Sequence, residues 1–198
     1  MLNFVIDTNF FINLQRPLNL GNNKEEVVLE FYKLTMPLIK KQSIVLYTTP
    51  NCFNELVAFY QEDKKTINML SQLLTIGSYD SNNLQINASL FYKLTEQAGK
   101  RIYKGLRVAE EPLKELADGQ VLTKEGVDKK IKELREKYRR ATREGFLDST
   151  IDLELILLCK DKEASMVSTD KGLLEWARVF GCNEVLPEVF VDKLKSLI

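Results

Sequence analysis

Four aspartates stand where a hard cation could be held beside a phosphate: Asp7, Asp148, Asp152 and Asp170. Asp7 directly follows the apolar run Leu2-Asn-Phe-Val-Ile6, and Asp170 follows Ala164-Ser-Met-Val-Ser by one residue. Both runs read as short buried strands. In a parallel sheet, ligands bind outside the carboxyl ends of the strands, so these two acids are expected at one crevice. Asp148 and Asp152 are four apart at the start of an apolar helix, a spacing that stacks them on one face, continued by Ile156 and Cys159. Two carboxylates so close repel, and a cation would offset that. Glu55, in the helix after the second strand, is a further metal-ligand candidate. Capping is the competing explanation. An Asp after a strand often caps the next helix, Asp148 suits an N-cap, Asp152 suits a first turn, and Glu55 alone fits a solvated surface.

The 198 residues include no histidine. That excludes Ser-His-Asp triads, Cys-His dyads and histidine-bound zinc. An oxygen-only ligand set suits Mg²⁺ or Mn²⁺, and such sites serve phosphoryl chemistry. Cys52, Cys159 and Cys182 form no CxxC pair and read as reduced core thiols of a cytoplasmic protein. No run has the length of a membrane span, and the N-terminus has no basic leader.

The elements that must position the acids alternate between strand and helix, which implies a three-layer α/β/α fold with a parallel sheet. A helix is expected from about Lys24 to Lys41, capped by Asn22 or Asn23, with Pro37 kinking or breaking it. Ile44–Tyr47 is a second strand. Thr49-Pro50 opens a helix through Tyr60, and another helix covers roughly 64–76. The later third supplies a buried helix over Ser149–Lys160, a strand at 164–168, a helix around Trp176 stopped by Gly181, a short strand at Val185-Leu186 and a terminal helix.

Residues 88–143 differ. Leu94, Ala98, Ile102, Leu106, Ala109, Leu113 and Leu116 recur at spacings of three and four. After Asp118-Gly119, so do Val127, Ile131, Leu134, Tyr138 and Ala141. Two helices, each with one apolar seam, predict a protruding antiparallel hairpin inserted in the fold. Pro112 is expected to kink the first arm. The overall net charge is zero, yet residues 93–143 carry 15 basic and 9 acidic side chains, a net +6. Lys129, Lys130, Lys132, Arg135, Lys137, Arg139, Arg140 and Arg143, with Lys100, Arg101, Lys104 and Arg107 on the other arm, suit a polyanionic partner. The plainer alternative is a solvated helical surface.

The ordered set Phe4-Val-Ile-Asp7-Thr8-Asn9, Asn54-Glu55-Leu56, Asp148-x-x-x-Asp152 and Val167-Ser-Thr-Asp170 resembles the PIN-domain ribonucleases. The basic insertion before Gly145-Phe-Leu-Asp148, with Val167-Ser-Thr-Asp170-Lys-Gly-Leu-Leu-Glu-Trp176 after it, is most similar to the minimal protein-only, RNA-free ribonuclease P family, HARP, once described as RNA ligase partner proteins.

That resemblance implies a metal-dependent endoribonuclease that removes the 5′ leader of precursor tRNA without an RNA subunit. The cut leaves a 5′-phosphate on the mature tRNA. By carry-over, Asp7, Asp148, Asp152 and Asp170 are catalytic and metal-holding, and Glu55 is a further metal ligand. Thr8, Asn9 and Thr169 orient ligands or water. The implied organisation is a metallonuclease domain over 1–87 and 144–198, with a hairpin over 88–143 for RNA grip, oligomerisation or both. The family forms large homo-oligomers through that hairpin, with a dodecamer as one candidate size. A toxin-type or other structure-specific endoribonuclease, and a non-catalytic RNA-binding scaffold, are the alternatives.

Overall fold

The computed structural model describes residues 1–13, 20–21, 23–143 apart from 118–122, 145–147 and 149–198, with the backbone alone for 115–117. Asp148 and Asn22 lie outside the described residues, as does the turn after Asp118. The chain divides into two compact units, residues 1–85 with 149–198, and residues 86–148.

In the first unit, β1 (Leu2–Ile6) pairs in parallel with β2 (Ile44–Thr48) and with β4 (Ser165–Val167). β3 (Thr75–Ile76) extends the sheet beyond β2, and β5 (Asn183–Val185) extends it beyond β4. The order is β3-β2-β1-β4-β5, parallel throughout. The chain therefore leaves β1 toward one side and later returns to its other side. That switch point is where an open α/β sheet offers a crevice at its carboxyl edge.

Helices cover the sheet: α1 (Asn9–Ile12), α2 (Lys24–Lys40), α3 (Pro50–Phe59), α4 (Lys64–Leu73), α7 (Thr150–Asp161), α8 (Lys171–Val179) and α9 (Pro187–Lys195). Their starts are capped as the sequence suggests. Asn23 accepts from the Glu26 amide at 2.8 Å, and Thr49 accepts from Cys52 at 3.3 Å ahead of Pro50. Gly181, at φ +77°, donates to the Arg178 carbonyl while Cys182 donates to Ala177, both at 2.9 Å. This left-handed stop turns the chain from α8 into β5. Phe4, Phe10, Phe31 and Phe190 meet with ring centroids 4.7–6.0 Å apart, all fully buried, and back the sheet end where Asp7 emerges.

Two expectations are corrected. Pro37 does not break α2, which runs unbroken to Lys40. The proline falls in the last turn, where its missing N–H removes one bond and buried Leu38 still anchors the end. Residues 75–76 are strand rather than helix, because Thr75 and Ile76 pair with Tyr47 and Thr48.

The second unit contains α5 (Ala88–Ala117) and α6 (Lys124–Arg143). Pro112 lies within α5, which continues past it. The helices meet at Gly105, where an added Cβ would stand 2.8 Å from both Tyr138 Cε2 and Thr142 Cγ2. The contact side differs from the seam expected. Ile102, Leu106 and Leu113 are 72%, 54% and 66% exposed. The glycine admits Tyr138, and the apolar stripe beside it is left outside.

Candidate active site

Asp7 ends β1 and is buried, with 4% of its surface exposed. Burial raises its carboxyl above the usual range, opposed by donors that favour the charged form. Ser168 donates to Oδ2 at 2.6 Å, Asn9 donates to Oδ2 at 3.0 Å, and Thr8 donates to Oδ1 at 3.2 Å. α1 is a single turn whose buried Phe10 and Phe11 pin the backbone on which Thr8 and Asn9 sit. Thr8 and Asn9 thus serve Asp7 directly, which is narrower than the ligand-orienting role expected.

Ser168 joins two of the acids. Its hydroxyl donates to Asp7 and accepts from the Asp170 amide at 2.9 Å. Asp170 then caps α8, its Oδ1 accepting from Gly172 at 2.7 Å and Leu173 at 3.1 Å. Capping and a site position therefore coexist in this residue. Thr169 accepts a long 3.5 Å bond from Asn13. Ser168 falls within the quoted motif but was not singled out, since its role depends on a bond between neighbouring strands.

The other described acids are on helices, Glu55 on α3 and Asp152 on α7. Cys52 of α3 is fully buried, and its thiol is pushed up to about 12. Burial is the leading cause, and the charges of Asp7, Glu55 and Asp152 add to it. Those three carboxylates act on one sulfur, and α7 packs directly against β1, so β1, α3 and α7 share a neighbourhood. Ser149 caps α7 by accepting from the Asp152 amide at 3.3 Å, the position for which Asp148 was the candidate. Asn51 of α3 bonds Glu154 of α7 at 2.8 Å and ties the two helices together.

The donor set fits a hard divalent ion, being carboxylate and hydroxyl oxygen without imidazole, with the nearby thiol held protonated. Among the described residues, no three acids or thiols already stand at ligand spacing, and Asp148 is not among those residues. Asp7, Asp152 and Asp170 would hold such an ion, with Glu55 at the margin.

On the hairpin, Lys129, Arg135, Arg139, Arg140 and Arg143 are exposed and Lys130 is half-buried. Tyr138 and Thr142 face α5; Arg135, three residues before Tyr138, borders that contact, while Lys132 and Arg139 lie farther round α6. Lys137 pairs with Glu111 at 3.0 Å, and Arg140 lies 4.0 Å from Glu136. Arg101 turns onto the hairpin itself, donating to the Thr142 carbonyl at 3.4 Å and lying 5.0 Å over the Phe146 ring. It is thus withdrawn from the set of phosphate contacts.

This architecture is that of a PIN-domain nuclease, and a family model described as a PINc domain ribonuclease matches residues 3–198. Among curated relatives, the RNA-free ribonuclease P of Thermodesulfovibrio yellowstonii is 36% identical over 194 residues, 98% of this chain and 94% of that protein. The RNA-free ribonuclease P of Thermococcus kodakarensis is 36% identical over 198 residues, 100% of this chain and 96% of that protein. The Pyrococcus horikoshii enzyme of the same name is 35% identical over 199 residues, covering 100% and 94%. The chain belongs to the RNA-free ribonuclease P family of PIN-domain ribonucleases.

Proposed function

We propose that this protein removes the 5′ leader of precursor tRNA by hydrolysing one phosphodiester, leaving a 5′-phosphate on the mature tRNA and a 3′-hydroxyl on the leader. The observation that carries this reading is the Asp7–Ser168–Asp170 link at adjoining strand ends, with Asp152 and Glu55 reaching the same neighbourhood through Cys52. Relatives that share nearly the full length and carry that activity in their name support it.

In this reading Asp7, Asp148, Asp152 and Asp170 hold Mg²⁺ or Mn²⁺, with Glu55 assisting. Bound there, such a cation would supply Lewis acidity, lowering the pKa of a water and polarising the phosphate. Ser168, Asn9 and Thr8 favour the ionised form of Asp7 against its burial and aim the carboxylate. The packing of Phe10 and Phe11 holds that aim against the sheet. Lys129, Lys130, Arg135, Arg139, Arg140 and Arg143 contact tRNA phosphates, an interaction that weakens steeply with salt. Folded RNA is read mainly by shape, so the hairpin measures distance to the cut. Ile102, Leu106 and Leu113 offer the hairpin an apolar stripe for self-association into a large homo-oligomer. Among the described residues no helix is long and apolar enough to cross a membrane. In this reading the enzyme is cytoplasmic and works without an RNA subunit.

Incubation with 5′-labelled precursor tRNA and Mg²⁺ tests this. Leader release at the mature end is expected, lost in Asp7→Asn and Asp170→Asn; the asparagine at 170 keeps the α8 cap. Cleavage only in an anticodon loop, or binding without cleavage, overturns the proposal.

A further inference from the structure

A cavity of about 300 Å³ opens beside the acid site, lined by Pro50, Asn51, Gly77, Ser78, Tyr79 and Glu154 among others. That is the lower end of the range for small-molecule sites, roughly 300–1,000 Å³. A larger cavity, about 460 Å³, lies around Asn3, Phe4, Ser165 and Asn183, at the opposite edge of the sheet from Asp7. The smaller one sits at the carboxyl ends of β2 and β3, where substrate is expected.

Its place next to the acids follows from the bonding. Thr48 at the end of β2 donates to the Ile6 carbonyl at 3.1 Å, one residue before Asp7. Thr49 lines the cavity and accepts from the amide of Cys52, the residue on which Asp7 acts. The wall is fixed rather than loose. Gly77 enters flush, since a Cβ there would stand 2.9 Å from Leu158 Cδ1. Asp80 then organises the loop that carries Tyr79, accepting from the Asn82 amide at 3.0 Å and the Asn83 side chain at 2.6 Å.

The lining discriminates between ligand parts. Among the described residues no lysine or arginine lines the cavity, and Glu154 contributes a negative charge, so a phosphate is disfavoured. Tyr79 and Pro50 give flat apolar surface, and the Asn51–Glu154 pair gives hydrogen-bonding groups at its edge. Those are the requirements of a nucleobase, with an aromatic face to stack on and acceptors for ring N–H or exocyclic amine. We propose that this cavity takes the base of an unpaired nucleotide beside the scissile phosphate, stacked on Tyr79 with its edge at Asn51 and Glu154. The inference rests on the proposed RNA-cleaving function and adds a positioning contact to it.

The test uses precursor tRNAs with a single abasic site at each unpaired position flanking the cut, in the leader and at the 3′ end. Equilibrium binding without divalent metal is measured for wild type, Tyr79→Ala and Tyr79→Phe. Wild type should bind one abasic RNA about tenfold more weakly than the intact RNA, the size of one lost base stack. Tyr79→Phe should behave as wild type. Tyr79→Ala should bind the intact RNA about tenfold more weakly and be indifferent to that abasic site. Wild-type indifference to every abasic site, or full abasic sensitivity retained in Tyr79→Ala, overturns the pocket. Cleavage of the same intact RNA with Mg²⁺ is read separately. Its absence in wild type would defeat the nuclease function, while the binding comparison would still decide the pocket.

Discussion

Replacing Ser168 with alanine probes the bond on which the site's geometry turns. The Ser168 hydroxyl is fully buried, donates 2.6 Å to an almost fully buried carboxylate, and accepts from the Asp170 amide. A hydrogen bond to a charged group contributes about 1.5–3 kcal/mol, against about 0.5–1.5 kcal/mol for a neutral one. Burial raises Asp7 above its unfolded value, so the folded protein is penalised as the pH rises from 3.8 through the folded-state pKa. Ser168 lowers that pKa, and its loss enlarges the penalty. The deficit of Ser168→Ala should therefore be about 2–3 kcal/mol above the folded-state pKa and shrink to about 1 kcal/mol below 3.8, where Asp7 is protonated in both proteins. Urea unfolding followed as a function of pH, from below 3.8 upward, measures this. Pairing the change with Asp7→Asn isolates the contact, and a coupling of about 1.5–3 kcal/mol is expected. Additivity within about 0.5 kcal/mol, or a deficit that ignores pH, would refute the link.

Asp63 caps α4, and its carboxyl is held below the usual range chiefly by the Thr66 hydroxyl. Its stabilising effect should be complete above 3.8 and fade as the pH falls through the lowered folded-state value, so Asp63→Asn should flatten the acid limb of a stability–pH curve. Gly105→Val should destabilise the hairpin by about 1–3 kcal/mol, read by thermal unfolding of helical signal, because Tyr138 and Thr142 occupy the space. Lys132→Ala with Arg135→Ala and Arg139→Ala should weaken tRNA binding and lower the log–log salt slope by about two units, with unfolding unchanged. An unchanged slope would remove these side chains from the RNA contact.

What the sequence disclosed and what it hid divide along physical lines. Strand β1 stands out because the apolar run Phe4-Val-Ile6 ends abruptly in Asp7, and α3 because Thr49-Pro50 sets both the cap and the first dihedral. Helix α1 was missed because one turn with adjacent Phe10 and Phe11 has no helical period to detect. β3 was read as a helix tail because two residues carry no alternation, and their pairing with β2 decides the matter. The series at Ile102, Leu106 and Leu113 showed that α5 has an apolar stripe but not which side α6 takes, since Gly105 gives no hydrophobic signal. Asp7 and Asp170 were legible as acids after strands. The Ser168 bridge between them was not, because it spans Asp7 and the strand end 161 residues away. Cys52 was legible as a core thiol, but the three carboxylates whose charges reach it were not.

The central claim is that carboxylates from distant parts of the chain share one divalent ion. Mn²⁺ binding followed by electron paramagnetic resonance, on wild type and on Asp7→Asn, Asp152→Asn and Asp170→Asn, tests it most directly. A bound Mn²⁺ population weakened about tenfold or more by each single change is the expected result. Equal Mn²⁺ affinity in all four proteins would contradict it.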